Sequence, residues 1–256
     1  MAFDTHTHTL DSVCNDYGLN KAKEISVINK DSNLSGVINV GLNISTSKEC
    51  VEIANNNDKF YAAIGIHPLY INGEDTEKLY SLVNDKVVAI GEIGLDLSSD
   101  VNFYEQRRYL IYQIIAANVL HLPVIIHSNN ANREVLEIFD KFVKPRYGCV
   151  FHCYQPEIEY LDEIIRNGYY ISFAGRITFS NACKSIEVLK RIPDYLYIVE
   201  TDSPFISPEP FKKETGRSSN ITYIISKIAE IKGVSYQDVE KRTEENTRRL
   251  FKKIKH

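Results

Sequence analysis

No C-x-x-C pair occurs among the five cysteines, Cys14, Cys50, Cys149, Cys153 and Cys183. Their odd number and scattered spacing exclude a disulfide framework and a cysteine-rich zinc knot. Plain thiols of this kind suit a reducing compartment. No stretch is apolar for long enough to cross a bilayer; the best candidate, Tyr109 to Leu122, is interrupted by Gln113, Asn118 and His121. A basic and then apolar leader is missing ahead of Ala2-Phe3-Asp4-Thr5-His6. A soluble, cytoplasmic protein with no membrane attachment and no obligate protein partner is therefore expected. Positive charge is not in excess, with 30 Lys+Arg against 34 Asp+Glu and a net charge of −4. That excludes a broad basic coat built to neutralise many phosphates. It does not exclude an enzyme whose bound cations supply positive charge locally. H-E-x-x-H, G-x-S-x-G and P-loop motifs are also missing, so a nucleophilic serine and a nucleotide cradle have no support. Nor does any Pro/Gly/Ser-rich linker or low-complexity block divide the chain. With 43% hydrophobic and 25% charged residues, residues 1–256 are expected to fold as one globular domain.

What is present is alternation. Short β-branched runs predict strands at Ala2–His6, Gly36–Val40, Tyr61–Ile66, Val87–Ile90, Val124–His127, Cys149–His152, Tyr169–Phe173 and Tyr197–Thr201. Between them, apolar residues recur three and four apart, as in Leu79, Leu82 and Val83, or Val135, Leu136, Ile138, Phe139 and Phe142. Ile158, Leu161, Ile164 and Ile165 form a further set, and Ile186, Leu189 and Ile192 another. Ser45 and Ser235 read as helix N-caps. Eight strand–helix units in about 250 residues predict an α/β fold, a single TIM-like (β/α)8 barrel. An open doubly wound sheet would need fewer units and a Gly-rich dinucleotide turn. The longest piece without pattern is Ser207–Asn220, and long loops in compact domains are often functional.

The placement of histidines and acids carries the chemistry. His6 and His8 are two apart, with Asp4 two before them, so an extended backbone puts all three on one face. His127 and His152 each stand where a buried run ends; Glu92 and Asp202 do the same. Strands 1, 4, 5, 6 and 8 thus all end in His, Glu or Asp. In a barrel those ends meet on the rim where such enzymes keep their sites. Burying several such groups without partners is costly, so a shared divalent metal site is the economical explanation. Four imidazoles and two carboxylates exceed the needs of one catalytic ion and suit two, bridged by a carboxylate. Imidazole and carboxylate donors suit Zn²⁺ or Mn²⁺, and added waters allow Mg²⁺.

Taken together these residues resemble the TatD family of metal-dependent hydrolases and deoxyribonucleases over essentially the full length. Asp4-Thr5-His6-Thr7-His8 is similar to its D-x-H-x-H opening, and Gly65-Ile66-His67-Pro68 to its G-x-H-P. Gly91-Glu92-Ile93-Gly94-Leu95-Asp96, Leu122–Ser128, Phe151-His152-Cys153, Tyr170–Phe173, Glu200–Pro204 and Thr243-x-x-Asn246 follow in the family's order. The resemblance implies a barrel holding two divalent ions, Mg²⁺, Mn²⁺ or Zn²⁺, that hydrolyses phosphodiesters. It implies His6 and His8 at one ion and His127 and His152 at the other, with Glu92 as the bridge and Asp202 completing the first site. In the mechanism expected, the ions lower the pKa of a water and Asp202 is its general base. His67 and Asp96 are expected at the substrate or behind the ligands. Glu200 shares a face with Asp202 by strand period, and either orients a ligand imidazole or forms part of the rim. Arg176 reads as a phosphate contact or as a solvated loop arginine.

Several rim residues depart from the family pattern: Asn129 and Asn130 after His127-Ser128, Leu97-Ser98-Ser99 after Asp96, Tyr154-Gln155-Pro156 after Cys153, and Arg217–Ile221. No ligand is changed. The expected substrate is nucleic acid, single-stranded DNA or RNA ends, attacked as by a 3′-to-5′ exonuclease. Tyr70, Tyr154, Phe205 and Phe211 could stack on bases, and Lys212, Lys213 and Arg217 could guide phosphates. The alternative is an amidohydrolase-type enzyme on a small amide, ester or lactone, because the same ions polarise a carbonyl. A scaffold without activity fits poorly with six intact donors.

Overall fold

A computed structural model describes residues 1–255. Eight strands occur in it: β1 (Ala2–Thr7), β2 (Leu34–Val40), β3 (Phe60–Ile64), β4 (Val87–Asp96), β5 (Val124–Asn129), β6 (Cys149–Phe151), β7 (Tyr170–Phe173) and β8 (Tyr197–Val199). They form one sheet in chain order, each parallel to the next. Around them lie α1 (Asp11–Asp16), α2 (Lys21–Lys30), α3 (Ile44–Asn55), α4 (Lys78–Leu82), α5 (Phe103–Leu120), α6 (Asn132–Lys141), α7 (Ile158–Arg166), α8 (Cys183–Arg191), α9 (Ile221–Lys232) and α10 (Tyr236–Leu250). Parallel strands covered by helices on one side and packed on each other inside must be apolar on both faces. Accordingly all six residues of β1 and all ten of β4 are buried. The result is the expected (β/α)8 barrel, nearly closed.

The seam between β8 and β1 is held less by ladder than by side chains. One parallel bridge joins Thr7 to Ser203. His8 N–H donates to the Ser203 carbonyl at 2.8 Å and Asp202 N–H to the His6 carbonyl at 2.9 Å. The Asp4 carboxylate then accepts from both Thr201 N–H (2.9 Å) and Thr201 Oγ1 (2.6 Å). These contacts lock the end of β8 to the end of β1, which is where the expected donors His6, His8 and Asp202 sit.

Element ends differ from expectation in ways that matter at the mouth. β4 runs six residues past Ile90, because Gly94, Leu95 and Asp96 pair with His127, Ser128 and Asn129 of β5. Gly91 and Gly94 look like a strand stop in sequence but here permit close approach: a Cβ on Gly94 would lie 1.8 Å from the His127 carbonyl oxygen, at φ +155°. β6 and β8 stop short, leaving His152 and Asp202 on the turns beyond. Ser235 caps α10 in a reciprocal box with Asp238. Ser45 does not cap α3; Asn43 does, because its amide oxygen accepts from Thr46 N–H at 2.9 Å while Thr46 Oγ1 accepts from the Asn43 N–H.

Candidate metal centre

The site begins with β1. Strand period brings the His6 and His8 rings to one place, their Nε2 atoms 3.1 Å apart. His8 Nδ1 lies 2.9 Å from the Val40 carbonyl, which can only accept, so the proton sits on Nδ1. The Nε2 of neutral His8 therefore turns a lone pair toward His6. Asp4, expected on the same face, spends its carboxylate on the seam instead of on the imidazoles. Burial pushes its carboxyl up to about 7, against the hydrogen bonds from Thr201, Ser218 and His6 that pull it down.

Glu92 of β4 is the centre of the cluster. Its Oε2 lies 3.3 Å from His6 Nε2 and 3.8 Å from His8 Nε2. Its Oε1 lies 2.7 Å from His127 Nδ1 and 2.8 Å from His152 Nε2. One carboxylate oxygen thus faces each pair of imidazoles. Asp202 closes the β1 side, with Oδ1 3.6 Å from His8 Nε2. Burial alone would raise Glu92, but the charge of His152 and the hydrogen bonds from His127 and His152 hold it well below the ordinary carboxylate range. Burial likewise works against a charged His152, yet Glu92 and Glu200 hold that imidazole well above its ordinary value.

Behind this layer, each histidine of the second pair has an acid on its far nitrogen. Asp96 Oδ2 is 3.1 Å from His127 Nε2, and Glu200 Oε1 is 3.2 Å from His152 Nδ1. Glu200 also accepts from the Cys153 N–H at 2.6 Å. Such outer acids select the tautomer that aims the other nitrogen's lone pair inward. Of the two places expected for Asp96, the geometry matches the one behind the ligands: it stands behind His127 and is 5% exposed. Its position also explains a departure on the rim. Asn129 Nδ2 lies 3.2 Å from both Asp96 oxygens, and its Oδ1 accepts from Gln155 Nε2. Asn129 thus holds the outer acid, and with Gln155 it also lines the mouth beside Arg176 and Asp202.

His67 sits at the edge, with Nε2 3.5 Å from Glu92 Oε1. Its donor atom groups with those of Glu92 and His127 closely enough for an ion, as do the sets His6/His8/Glu92 and His6/His152/Asp202. Tautomer decides between ligand and donor. His67 Nδ1 accepts from the Leu69 N–H at 3.1 Å, so the neutral ring carries its proton on Nε2 and offers a hydrogen bond rather than a lone pair. Burial, with the like charge of His127, lowers its pKa to about 4 against the pull of Glu92, so the ring is neutral at pH 7.

The donors suit a divalent cation: imidazole nitrogens and carboxylate oxygens, buried, with two ring nitrogens facing each other across 3.1 Å. His6 Nε2 either donates a proton to His8 Nε2 or, deprotonated, joins it in facing one cation. Strain collects at the same rim. Asn130, Cys153 and Asp202 follow β5, β6 and β8 and all adopt positive φ (52°, 41° and 53°), a conformation costly for residues with a Cβ.

Above the cluster opens a cavity of about 350 Å³, whose wall includes His67, Tyr70, Arg176 and Phe205. Arg176 is exposed and has no carboxylate partner among the described residues. Tyr70 and Phe205 stand 41% and 42% exposed at the opening. Three of the other aromatic and basic candidates are engaged elsewhere. Tyr154 is buried with its hydroxyl donating to the Glu157 carbonyl, and Phe211 packs edge-on against Tyr223 at 4.9 Å. Arg217 is paired with Glu24 and ties the long loop to α2.

A nearly closed barrel with an acid-and-imidazole cluster at its carboxyl mouth defines the class, a metal-type hydrolase barrel, and comparison with known proteins places the chain within it. The family model described as TatD related DNase matches residues 3–252. The chain is 34% identical over 257 residues to the uncharacterized metal-dependent hydrolase YabD of Bacillus subtilis, which covers 98% of this chain and 99% of that protein. Its fold matches the crystal structure of YJJV, a TatD homologue of Escherichia coli, with a TM-score of 0.87 and 25% identity over 98% of both chains. A TatD-family hydrolase of Entamoeba histolytica shares the fold at a TM-score of 0.83 and 22% identity, over 99% of this chain and 98% of that one. The chain belongs to the TatD family of metal-dependent hydrolases.

Proposed function

We propose that the protein is a two-cation phosphodiesterase acting on ends of single-stranded DNA or RNA. In this reading His6, His8 and Asp202 would hold one divalent ion and His127 and His152 the other, with Glu92 shared between them. The observation that carries it is the division of the Glu92 carboxylate, one oxygen toward each pair of imidazoles. Bound Mg²⁺, Mn²⁺ or Zn²⁺ supplies acidity to a water and positive charge to a phosphate.

The chain's own groups do the rest. Burial alone would raise the Asp202 carboxyl, but the imidazoles beside it, His8 and then His152, hold it below the ordinary carboxylate value, so it is ionised. Asp202 can therefore take the proton of the attacking water. The water oxygen bonds to phosphorus, the bond from phosphorus to the departing sugar oxygen breaks, and that oxygen takes a proton from solvent while Asp202 returns its own to solvent. His67, with its Nε2–H directed at the cluster, donates a hydrogen bond to Glu92 or to a phosphate oxygen. Arg176, a cation at the mouth without an acidic partner among the described residues, can neutralise a phosphate. An unpaired guanidinium favours a phosphodiester over the alternative, a neutral amide, ester or lactone.

The test uses protein stripped of metal and reloaded with Mg²⁺, Mn²⁺ or Zn²⁺, given end-labelled single strands and a generic phosphodiester. Asp202→Asn should lower kcat by about 10²–10⁴-fold, the range for loss of a general base. Cleavage that persists unchanged in that variant would reject the assignment. Turnover of strands should fall steeply with salt, whereas hydrolysis of a small uncharged ester would not.

A further inference from the structure

A second cavity, of about 510 Å³, adjoins the mouth on the β7–β8 side. It shares Arg176, Phe205 and Ile206 with the cavity above the cluster, so the two spaces are continuous at those residues. Its wall adds Phe179, Asn181, Ser207 and Lys212. No carboxylate lines it, and its charged groups are both cations. Lys212 rests its Nζ 4.1 Å over the Phe179 ring, with its nearest acid, Glu209, a loose 3.9 Å away. Ser207 is 6% exposed, yet its hydroxyl is buried with no hydrogen-bond partner among the described residues. A buried hydroxyl without a partner is uncommon and calls for an explanation, which a ligand in the adjoining space would supply.

We propose that this cavity is the subsite for the nucleotide next to the scissile bond: Arg176 and Lys212 take its phosphate, Phe205 its base, and Ser207 one of its oxygens. The proposal rests on the phosphodiesterase reading and deepens it, because it makes a nucleic acid strand, rather than a small diester, the substrate the site is built for. Phe205 lines both spaces, its ring centroid 5.0 Å from that of His8 (tilted) and 5.6 Å from that of Tyr17 (edge-to-face). It is anchored on one side and 42% exposed, as a stacking platform needs to be. The long loop expected to be functional thus contributes Ser207 and Lys212, while its Arg217 serves only to anchor it.

The experiment measures binding of a short single strand with phosphorothioate linkages to the metal-loaded full chain by fluorescence anisotropy, beside kcat/KM for a cleavable strand and for a small phosphodiester. Lys212→Gln should weaken strand binding about tenfold and lower the strand-to-diester ratio of kcat/KM by a similar factor. It should also reduce the slope of log affinity against log salt by about one contact. Ser207→Ala should weaken binding about threefold without lowering the melting temperature of the free protein, since the lost hydroxyl satisfied nothing there. Lys252→Gln, an exposed lysine elsewhere, serves as the control. Strand binding within twofold of wild type in both variants would overturn the subsite. So would a wild-type protein that hydrolyses the small diester but neither binds nor cleaves strands, although the phosphodiesterase reading would then survive. A loaded protein that hydrolyses neither substrate would remove that reading and the subsite together.

Discussion

The floor and the rim of the mouth are built on different terms. On the floor, the far side of nearly every donor is occupied: His8 by the Val40 carbonyl, His127 by Asp96, His152 by Glu200. Asp96 and Glu200 have further partners in Asn129 and Cys153. Each tie fixes a tautomer or an orientation, so the floor presents one arrangement. On the rim, Arg176, Tyr70, Phe205 and Lys212 keep one end free. The contrast teaches that the chemistry is preorganised by buried hydrogen bonds, while the choice of substrate is left to exposed groups on turns.

The comparison breaks most readily at Glu92. Glu92→Gln removes the charge shared by both halves of the floor and should cost on the order of 10³-fold or more in kcat, with metal content falling below that of wild type. Elemental analysis beside a rate assay checks this; a variant with full metal and full rate would remove Glu92 from the centre. Glu200→Gln reaches only the layer behind. It should weaken metal affinity by about 10–100-fold, the usual effect of an outer acid, which a chelator titration will show. Rim changes should be smaller and differently distributed. Arg176→Gln should raise KM for a strand about tenfold while moving kcat less, so a loss confined to kcat would move Arg176 to the floor.

The least dramatic test is pH. In the metal-free protein the His152 pKa is raised by Glu92 and Glu200, which outweigh burial. Its contribution to stability is complete below the unfolded value of about 6.5 and is lost as pH rises through the folded value. Cation binding must displace that proton, so affinity strengthens over the same rise. The difference in melting temperature between loaded and chelated protein should therefore widen from about pH 6 to about pH 8. A gap that narrows would show that protons and cations do not compete at this imidazole.

Much of the floor was legible because it lies where apolar runs end. His127 after Val124–Ile126 and His152 after Cys149–Phe151 are polar residues at the exits of buried strands. Glu200 was legible through strand period. Asp96 came only through the family resemblance and not through strand period, because the strand expected there ended at Ile90, before Gly91 and Gly94, which are points of close contact with β5. Had β4 been read through to Asp96, period-2 geometry would have set Glu92 and Asp96 on one face, where both touch His127. The rim was legible only in part. An aromatic after a strand has two equally available directions: Phe205 turned outward and Tyr154 inward, and nothing local separates them. The pairing of Arg217 with Glu24 joins residues nearly two hundred positions apart, which only the closed barrel brings together.

The most direct test of the central claim is a count of bound cations. Protein stripped, reloaded and freed of excess ion should carry two divalent cations per chain by elemental analysis. Asp202→Asn should retain the ion at His127 and His152. A wild-type ratio near zero after reloading, or one that stays at a single ion under saturating metal, would contradict the shared-carboxylate centre.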